Sequence, residues 1–450
     1  MSDNLGTEKI SRLFMKMAIP SVISQLVVLV YNMVDRIFIG HIPDIGSTAL
    51  TGVGICMPVT LIVSAFAQLT GIGGAPLASM ALGRNDKEEA ERILGTCCFG
   101  MIVVSVLLTI TGLVFSEKIL FFFGASSNTI FYAREYLNIY LAGTIFVELT
   151  IGLTAFITAQ GFTAVTMVSV TAGAILNVFL DPLLIFGFHM GVKGAALATI
   201  ISQAVSTIWV VHFLCSKKTD IHLRKKYMPL QAKVILPCVT LGLAAFIMQA
   251  SESIVNVCFN SSLLRYGGDI AVGAMTILTS VMQFAMLPLQ GIAQGAQPIS
   301  SFNYGAKNAD RVKKTFRLLL ITCLTYSTLL WAAVQLVPQV FVSIFTSDAG
   351  LVEFTAPVLR IYLGGLFLFG IQIACQMTFT SLGKAVNSIV VAVVRKFVLL
   401  LPLIYIMPQL AADQTQGVYM AEPIADILAV TFTSVLFAFQ FKKALAEIQD

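Results

Sequence analysis

Charged residues are scarce in this sequence: Asp, Glu, Lys and Arg together make up 11% of its 450 residues. A soluble domain usually contains about 25%. Hydrophobic residues make up 57%, and a soluble chain of this length cannot bury so much apolar surface. The composition therefore excludes an ordinary soluble protein and indicates an integral membrane protein whose apolar surface is covered by lipid.

Motifs of soluble enzymes and of metal sites are also missing. The chain has no Walker phosphate loop and no HExxH zinc motif. Its four histidines, at positions 41, 189, 212 and 222, lie mainly at the ends of apolar stretches, and its eight cysteines include no CxxC pair. We therefore expect no enzymatic activity, no catalytic residue, no cofactor and, apart from a coupling Na⁺, no metal.

Twelve apolar stretches recur along the chain, and each is long enough to cross about 30 Å of hydrocarbon as a helix. The two-residue alternation of membrane-spanning strands is absent, which favours a helical bundle over a barrel. The sequence thus predicts an all-α integral membrane protein with twelve transmembrane helices. The predicted spans are 15–39, 50–80, 94–116, 132–158, 163–187, 193–215, 234–262, 271–302, 315–337, 356–382, 386–408 and 417–440.

The basic residues predict the orientation. Of the 28 Lys and Arg residues, 20 fall in the N-terminus, the even-numbered loops and the C-terminus, five fall in odd-numbered loops or their margins, and three lie inside spans. Because basic loops stay in the cytoplasm, this asymmetry predicts cytoplasmic termini and a location in the plasma (inner) membrane. The net charge of +5 then reflects topology and gives no reason to expect nucleic-acid binding.

The two halves of the chain are related by a shift of 222 residues. Matched residues include Gly73 with Gly295, Pro76 with Pro298, Ser79 with Ser301, Gly83 with Gly305, Gly143 with Gly365 and Gly161 with Gly383. Six spans return the chain to its starting side, so the halves are predicted to be parallel repeats with a transport site between two lobes. The predicted segments are a cytoplasmic lead-in at 1–14, a first lobe at 15–215, a basic cytoplasmic linker at 216–233, a second lobe at 234–440 and a cytoplasmic end at 441–450.

Four polar residues of the first half are predicted to lie at one depth. At 1.5 Å per residue, Asp35, Asp181 and Thr199 each lie about 8–10 Å below the outer membrane boundary, and Asn177 is one helical turn before Asp181. Ionisable residues at membrane depth are functional candidates by default. Two carboxyls, an amide and a hydroxyl suit Na⁺ or a proton shared between the carboxyls. The alternative is that these groups only hydrogen-bond helices together.

The second half carries a different set of charges inside its spans. Glu252 is a candidate for binding a cationic substrate or a second coupling cation, and so are Asp426 and, in the first half, Glu148. Arg395 and Asp426 are predicted to form a structural ion pair. The two halves are therefore predicted to share an architecture but not a function.

Four segments resemble signatures of the MATE (multidrug and toxic compound extrusion) family, in particular its prokaryotic branches. They are VDRIFIG at 34–40, NVFLDPLLIFG at 177–187, GVKGAA at 191–196 and EPIAD at 422–426. The resemblance implies a V-shaped pair of six-helix lobes and a cation site at Asp35, Asn177, Asp181 and Thr199. It also implies a bending first helix at Pro20 and a seventh-helix acid at Glu252. The acid that one branch carries in its tenth helix has no counterpart here.

Residues and resemblance together predict an H⁺- or Na⁺-coupled antiporter that exports organic, mostly cationic amphipathic compounds by alternating access. Its expected partners are these small organic substrates and the lipid bilayer, and we expect a functional monomer. One alternative is a lipid-linked precursor flippase of the wider superfamily, for which we would expect more cationic groups in the cavity and often fourteen spans. Another is an intramembrane enzyme, but no nucleophile with a base is found at one depth.

Overall fold

The computed structural model describes residues 2–346 and 348–449. Met1 and Asp450, which belong to the predicted terminal segments, and Ser347 lie outside the described residues. Throughout the described part the regular structure is helical, without strands. Among the described residues, nine helices are long and apolar enough to cross a membrane, and two further pairs of shorter helices are long and apolar enough when each bent pair is taken as one span.

One of the nine helices, Ala232–Gly305, contains two membrane spans. Its 74 residues would extend about 110 Å as one helix, more than three times the thickness of the hydrocarbon. The helix breaks at Gly268, where the backbone adopts φ 67° and ψ −163°. This positive φ suits glycine, which lacks a Cβ. Counting its two parts separately gives twelve spans, so the predicted number of transmembrane helices is confirmed.

The twelve spans agree closely with the predicted stretches. They are numbered in chain order: span 1, Ile10–Gly40; span 2, Gly46–Gly83; span 3, Lys87–Phe122; span 4, Ile130–Ala142 with Thr144–Ala159; span 5, Thr163–Pro182 with the π-helical turn Leu183–Gly187; span 6, Val192–Cys215; spans 7 and 8, the parts of Ala232–Gly305 before and after Gly268; span 9, Ala309–Leu336; span 10, Ala349–Tyr362 with Leu366–Ser381; span 11, Ala385–Val393, the π-helical segment Val394–Leu400 and Leu401–Leu410; span 12, Gln414–Ala446. Short helices cover Ser2–Thr7, Lys225–Tyr227 and Pro338–Ser343.

Corresponding spans of the two halves are bent in the same place. Span 4 bends by 55° at Gly143, and span 10 bends by 47° between Tyr362 and Leu366. Gly143 and Gly365 are matched by the 222-residue shift. The bend thus belongs to the repeated unit, and the structure has two lobes of six helices each, formed by spans 1–6 and 7–12.

The two lobes meet near one side of the membrane, here called the basic face. It includes the N-terminal segment, the loops at 84–86, 216–231 and 306–308, and the end of span 12. Ser79 of span 2 donates a hydrogen bond to the carbonyl of Pro298 in span 8, at 3.3 Å. A Cβ added at Gly83 would overlap the carbonyl of Phe302, and one added at Gly305 would overlap the carbonyl of Met80. Both glycines therefore let backbones of opposite lobes touch.

The N-terminal segment bridges the same two lobes. The carbonyl of Leu5 accepts hydrogen bonds from Asn303 Nδ2 at 2.9 Å and from Arg311 Nη2 at 3.0 Å. The Leu5 side chain is buried, and a Cβ on Gly161 of the first lobe would lie 3.4 Å from it. The segment between the helix Ser2–Thr7 and span 1 is therefore fastened to the basic face.

The basic linker is folded against the first lobe. The Gln160 side-chain oxygen accepts hydrogen bonds from the Thr219 hydroxyl at 2.8 Å and from the Ile221 backbone at 3.1 Å. The buried carboxylate of Glu91 binds Arg224 at 2.8 Å. These contacts fix the position of the linker, and its cytoplasmic location stays a prediction.

Candidate ion sites in the two lobes

Three of the four polar residues predicted at one depth in the first lobe come together. The carboxyl groups of Asp35 in span 1 and Asp181 in span 5 face each other within hydrogen-bonding range. Asn177 donates from Nδ2 to Asp181 Oδ1 at 3.3 Å. All three side chains are buried. Asn177 and Asp181 are four residues apart and so share one face of span 5. The packing of span 1 against span 5 brings Asp35 to that face.

This first-lobe cluster has more acceptors than donors. Apart from the facing carboxyl, Asp35 Oδ1 and Asp181 Oδ2 are buried without a hydrogen-bond partner among the described residues, and so is Asn177 Oδ1. Buried polar atoms normally have a partner. Two ionised carboxylates in contact repel each other unless they share a proton or a cation. The cluster therefore has the chemistry of a site for a proton or for a hard cation such as Na⁺, which prefers oxygen ligands.

Thr199, the fourth predicted member, is half-buried in span 6. No hydrogen bond joins it to the other three side chains within the described part of the chain. Two tyrosines that were not predicted do lie near the cluster: Tyr31 and Tyr136 are both within electrostatic range of Asp35. The four-residue spacing of Tyr31 and Asp35 was a usable signal for the first, because it places both on one face of span 1.

An apolar groove lies beside the cluster, between spans 1 and 5. Its volume is about 380 Å³, and its walls include Val30, Tyr31, Ala174 and Phe179. Tyr31 belongs to both the groove and the surroundings of Asp35. The first lobe thus places an apolar surface next to its acids.

The second lobe contains a buried ion-pair network. Arg395 and Asp426, predicted as a pair, lie 2.9 Å apart, from Nη2 to Oδ1. The same guanidinium binds Glu422 Oε1 at 3.1 Å and stacks 4.6 Å from the ring centroid of Phe369. The π-helical segment Val394–Leu400 carries Arg395, and such segments change the direction in which helix side chains point. Asp426 is therefore bound to an arginine, and this ion pair opposes its predicted role in attracting a substrate.

Glu252 is also paired. Lys396 Nζ lies 2.6 Å from Glu252 Oε1 and donates a hydrogen bond to it. Sequence reasoning did not pair Glu252 with Lys396 and gave Glu422 no role. Two adjacent bases in span 11 against three acids in spans 7 and 12 were the available signal, because buried charges need partners.

Glu148 lies apart from both groups of acids. Its side chain is fully buried in span 4, and neither carboxyl oxygen has a hydrogen-bond partner among the described residues. In this conformation a substrate cannot reach it. The predicted role of Glu148 in substrate binding has no geometric support.

Pro20, the predicted hinge, lies where span 1 meets the second lobe. Span 1 is helical on both sides of Pro20. Cβ atoms added at Gly291 and Gly295 of span 8 would lie 2.6 Å from the Cα of Val22 and 2.5 Å from the Cα of Ala18. Proline removes one helix hydrogen bond at this contact. Its role as a hinge stays a prediction.

The described residues contain no group of three or more His, Cys, Asp or Glu side chains that could hold a metal ion. The first-lobe cluster has two acids and an amide. Any cation bound there would be held by few charged ligands.

The fold and these sites define a multi-pass membrane protein with two six-helix lobes and ionisable groups at membrane depth. Its sequence matches the MatE family model twice, at residues 20–183 and 244–406, one match in each lobe. The chain therefore belongs to the MatE family of membrane transporters, as the four sequence segments had indicated. The paired matches agree with the internal repeat.

Curated relatives include proteins named multidrug export protein MepA. The one from Staphylococcus haemolyticus is 24% identical over 401 residues, which are 89% of this chain and 88% of the relative. The one from Staphylococcus aureus strain NCTC 8325 is 25% identical over 393 residues, or 87% and 86% of the two chains.

Solved structures show the same fold. A MATE protein in a bent conformation superimposes with a TM-score of 0.93 at 21% identity, covering 100% of this chain and 99% of the other. A multidrug resistance MATE transporter described as outward-facing gives a TM-score of 0.90 at 21% identity, covering 99% and 98%. At this identity the likeness establishes the fold alone.

Proposed function

We propose that this protein is a cation-coupled multidrug antiporter that exports organic, mostly cationic amphipathic compounds from the cytoplasm across the plasma membrane. The observation that carries the proposal is the buried pair of facing carboxyls, Asp35 and Asp181, beside an apolar groove. Relatives named for multidrug export support the choice of substrate class. We expect the protein to work as a monomer without a cofactor.

The proposed mechanism assigns one role to each part of the first lobe. A proton or Na⁺ binds between Asp35 and Asp181, with Asn177 fixing the position of Asp181. Binding removes the repulsion between the carboxyls and so changes how spans 1 and 5 pack. The apolar groove holds the hydrophobic body of the substrate. Coupling arises because ion and substrate stabilise different lobe arrangements, since a ligand shifts an equilibrium only by its differential affinity for the two states.

The decisive measurement is substrate efflux from proteoliposomes under an imposed Na⁺ gradient or an imposed pH gradient, each applied alone. We expect one of the two gradients to drive efflux of a lipophilic cation. Asp35→Asn should reduce gradient-driven efflux by about 5- to 150-fold, which is the factor that corresponds to a typical coupling free energy of about 1–3 kcal/mol.

Asp44→Asn is the matched control, since it makes the same change at an exposed residue just after span 1. It should leave efflux as in the wild type. An Asp35→Asn protein that keeps full ion coupling would contradict the proposed ion site.

A lipid-linked precursor flippase is the second candidate. Such a protein needs free cationic groups to hold phosphates. Arg395 and Lys396, the bases inside the second lobe, are each bound to carboxylates, which favours the antiporter. Transport of a lipid-linked substrate by the purified protein, without efflux of lipophilic cations, would reverse this order.

A further inference from the structure

The ion pair Glu252–Lys396 occupies the position in the second lobe that corresponds to the apolar groove of the first lobe. The 222-residue shift relates Glu252 to Val30 and Lys396 to Ala174. Val30 and Ala174 both line the groove between spans 1 and 5. Spans 7 and 11 are the repeat counterparts of spans 1 and 5, so the ion pair bridges the equivalent two helices of the second lobe.

Glu252 is the accessible end of the second-lobe network. Its side chain is 44% exposed, whereas that of Lys396 is 4% exposed. The Arg395, Glu422 and Asp426 side chains are also nearly fully buried. A ligand that reaches this surface of the second lobe would therefore contact the carboxylate of Glu252. The Lys396 ammonium is bound to the same carboxylate from its buried side.

Lys396 has electrostatic partners other than Glu252. Lys396 also acts electrostatically on Glu422 and Asp426. With all five groups ionised, three carboxylates face two bases and the network keeps one net negative charge. When a ligand binds Glu252, Lys396 still interacts electrostatically with these two acids and is not an isolated buried charge, which would be costly.

We propose that Lys396 is a specificity-determining residue: a tethered ammonium that competes with the organic cation for Glu252. This inference rests on the proposed export of organic cations. A substrate gains the carboxylate only by displacing Lys396, so the lysine lowers the affinity for cations and disfavours ligands whose charge is too weak to displace it. Uncharged ligands are not affected by the competition.

The test is equilibrium binding of tetraphenylphosphonium, a lipophilic monovalent cation, to the purified full-length protein. Lys396→Gln should bind it on the order of tenfold more tightly, because a close charge pair of about 1.4 kcal/mol no longer competes. Glu252→Gln should weaken binding. In the double variant the gain from Lys396→Gln should disappear, because the lysine acts through Glu252.

Lys384→Gln is the matched control. Lys384 is also paired with a carboxylate, that of Glu447, but this pair lies at the basic face and not in the network. The Lys384→Gln variant should bind the cation as the wild type does, and so should Lys396→Arg. An uncharged probe of similar size should bind equally to all variants.

Three outcomes would overturn the inference: Lys396→Gln binds the cation no more tightly than the wild type, the double variant binds as tightly as Lys396→Gln, or Glu252→Gln binds as the wild type does. The last comparison applies even if Lys396→Gln fails to fold. The binding measurement needs no ion gradient. A protein that binds the cation in this pattern but shows no gradient-driven efflux would refute the antiport mechanism and leave the role of Lys396 intact.

Discussion

At the scale of single residues, the acids inside the membrane have four different environments. Asp35 and Asp181 face each other, Glu252 is bound to a lysine, and Glu422 and Asp426 are bound to an arginine. Glu148 has no hydrogen-bond partner among the described residues. The sequence predicted the depth of Asp35 and Asp181 because depth follows from counting residues along a helix. It did not predict the pairing of Glu252 with Lys396, because pairing depends on how each helix is rotated about its axis.

Glu148 leads to a prediction about stability. Burying a carboxylate ion without a partner is far more costly than burying the neutral acid, so we expect Glu148 to be uncharged. Glu148→Gln, which keeps the shape, should then change the free energy of unfolding by less than about 1 kcal/mol. Thermal unfolding of the purified protein in detergent measures this change.

Gln372 offers the reverse substitution as a control. It is buried in span 10, and its side-chain oxygen and nitrogen both have no partner among the described residues. Gln372→Glu should destabilise the protein more than Glu148→Gln does. A large loss of stability in Glu148→Gln would instead mean that Glu148 is ionised and bound to a cation.

At the scale of helices, the sequence predicted the spans well and their internal irregularities poorly. Hydrophobicity over about twenty residues is enough to locate a transmembrane helix. The bends in spans 4 and 10 were marked only by the matched Gly143 and Gly365. The π-helical segment Val394–Leu400 had no visible signal, because packing against neighbouring helices decides where a helix gains an extra residue in a turn.

The crossing of spans 2 and 8 gives a prediction at this scale. Gly83→Ala would place a methyl group against the carbonyl of Phe302 in the opposite lobe. We expect it to weaken closure at the basic face by about 1–3 kcal/mol, the usual cost of overpacking, and to slow efflux. Gly305→Ala should have the same effect, since it meets Met80 in the same way.

Gly54→Ala is the control for both variants, because a Cβ at that position of span 2 meets nothing within 4 Å. Efflux rates in proteoliposomes compare the three proteins at equal amounts of folded protein. Normal efflux by Gly83→Ala and Gly305→Ala would show that the lobes need not touch here during transport.

At the scale of the whole molecule, the contacts between lobes at the basic face have to break if the site is to open to that side. Two native thiols lie across this boundary. Cys97 of span 3 and Cys238 of span 7 are within hydrogen-bonding range of each other, and both are buried. One lies on a helix of the first lobe and the other on a helix of the second.

Mild oxidation of the purified protein should therefore link Cys97 to Cys238 and stop efflux, and reduction should restore it. Mass spectrometry of the linked peptides identifies the bond. Cys238→Ser should keep its efflux after the same treatment. Full efflux by the linked wild-type protein would mean that spans 3 and 7 do not separate during the transport cycle.

The paired glycines at the basic face also bear on how the two-lobe chain arose. Met80 meets Gly305, and Phe302 meets Gly83, so the shift of 222 residues turns each contact into the other. This is the self-complementary geometry of a two-fold symmetric dimer. A six-helix protein carrying one such glycine closes on a second copy of itself by the same contact. Joining two copies in one chain keeps that interface, and each half can then acquire its own charged residues. The first half has its acids in spans 1 and 5, and the second half has its bases in span 11.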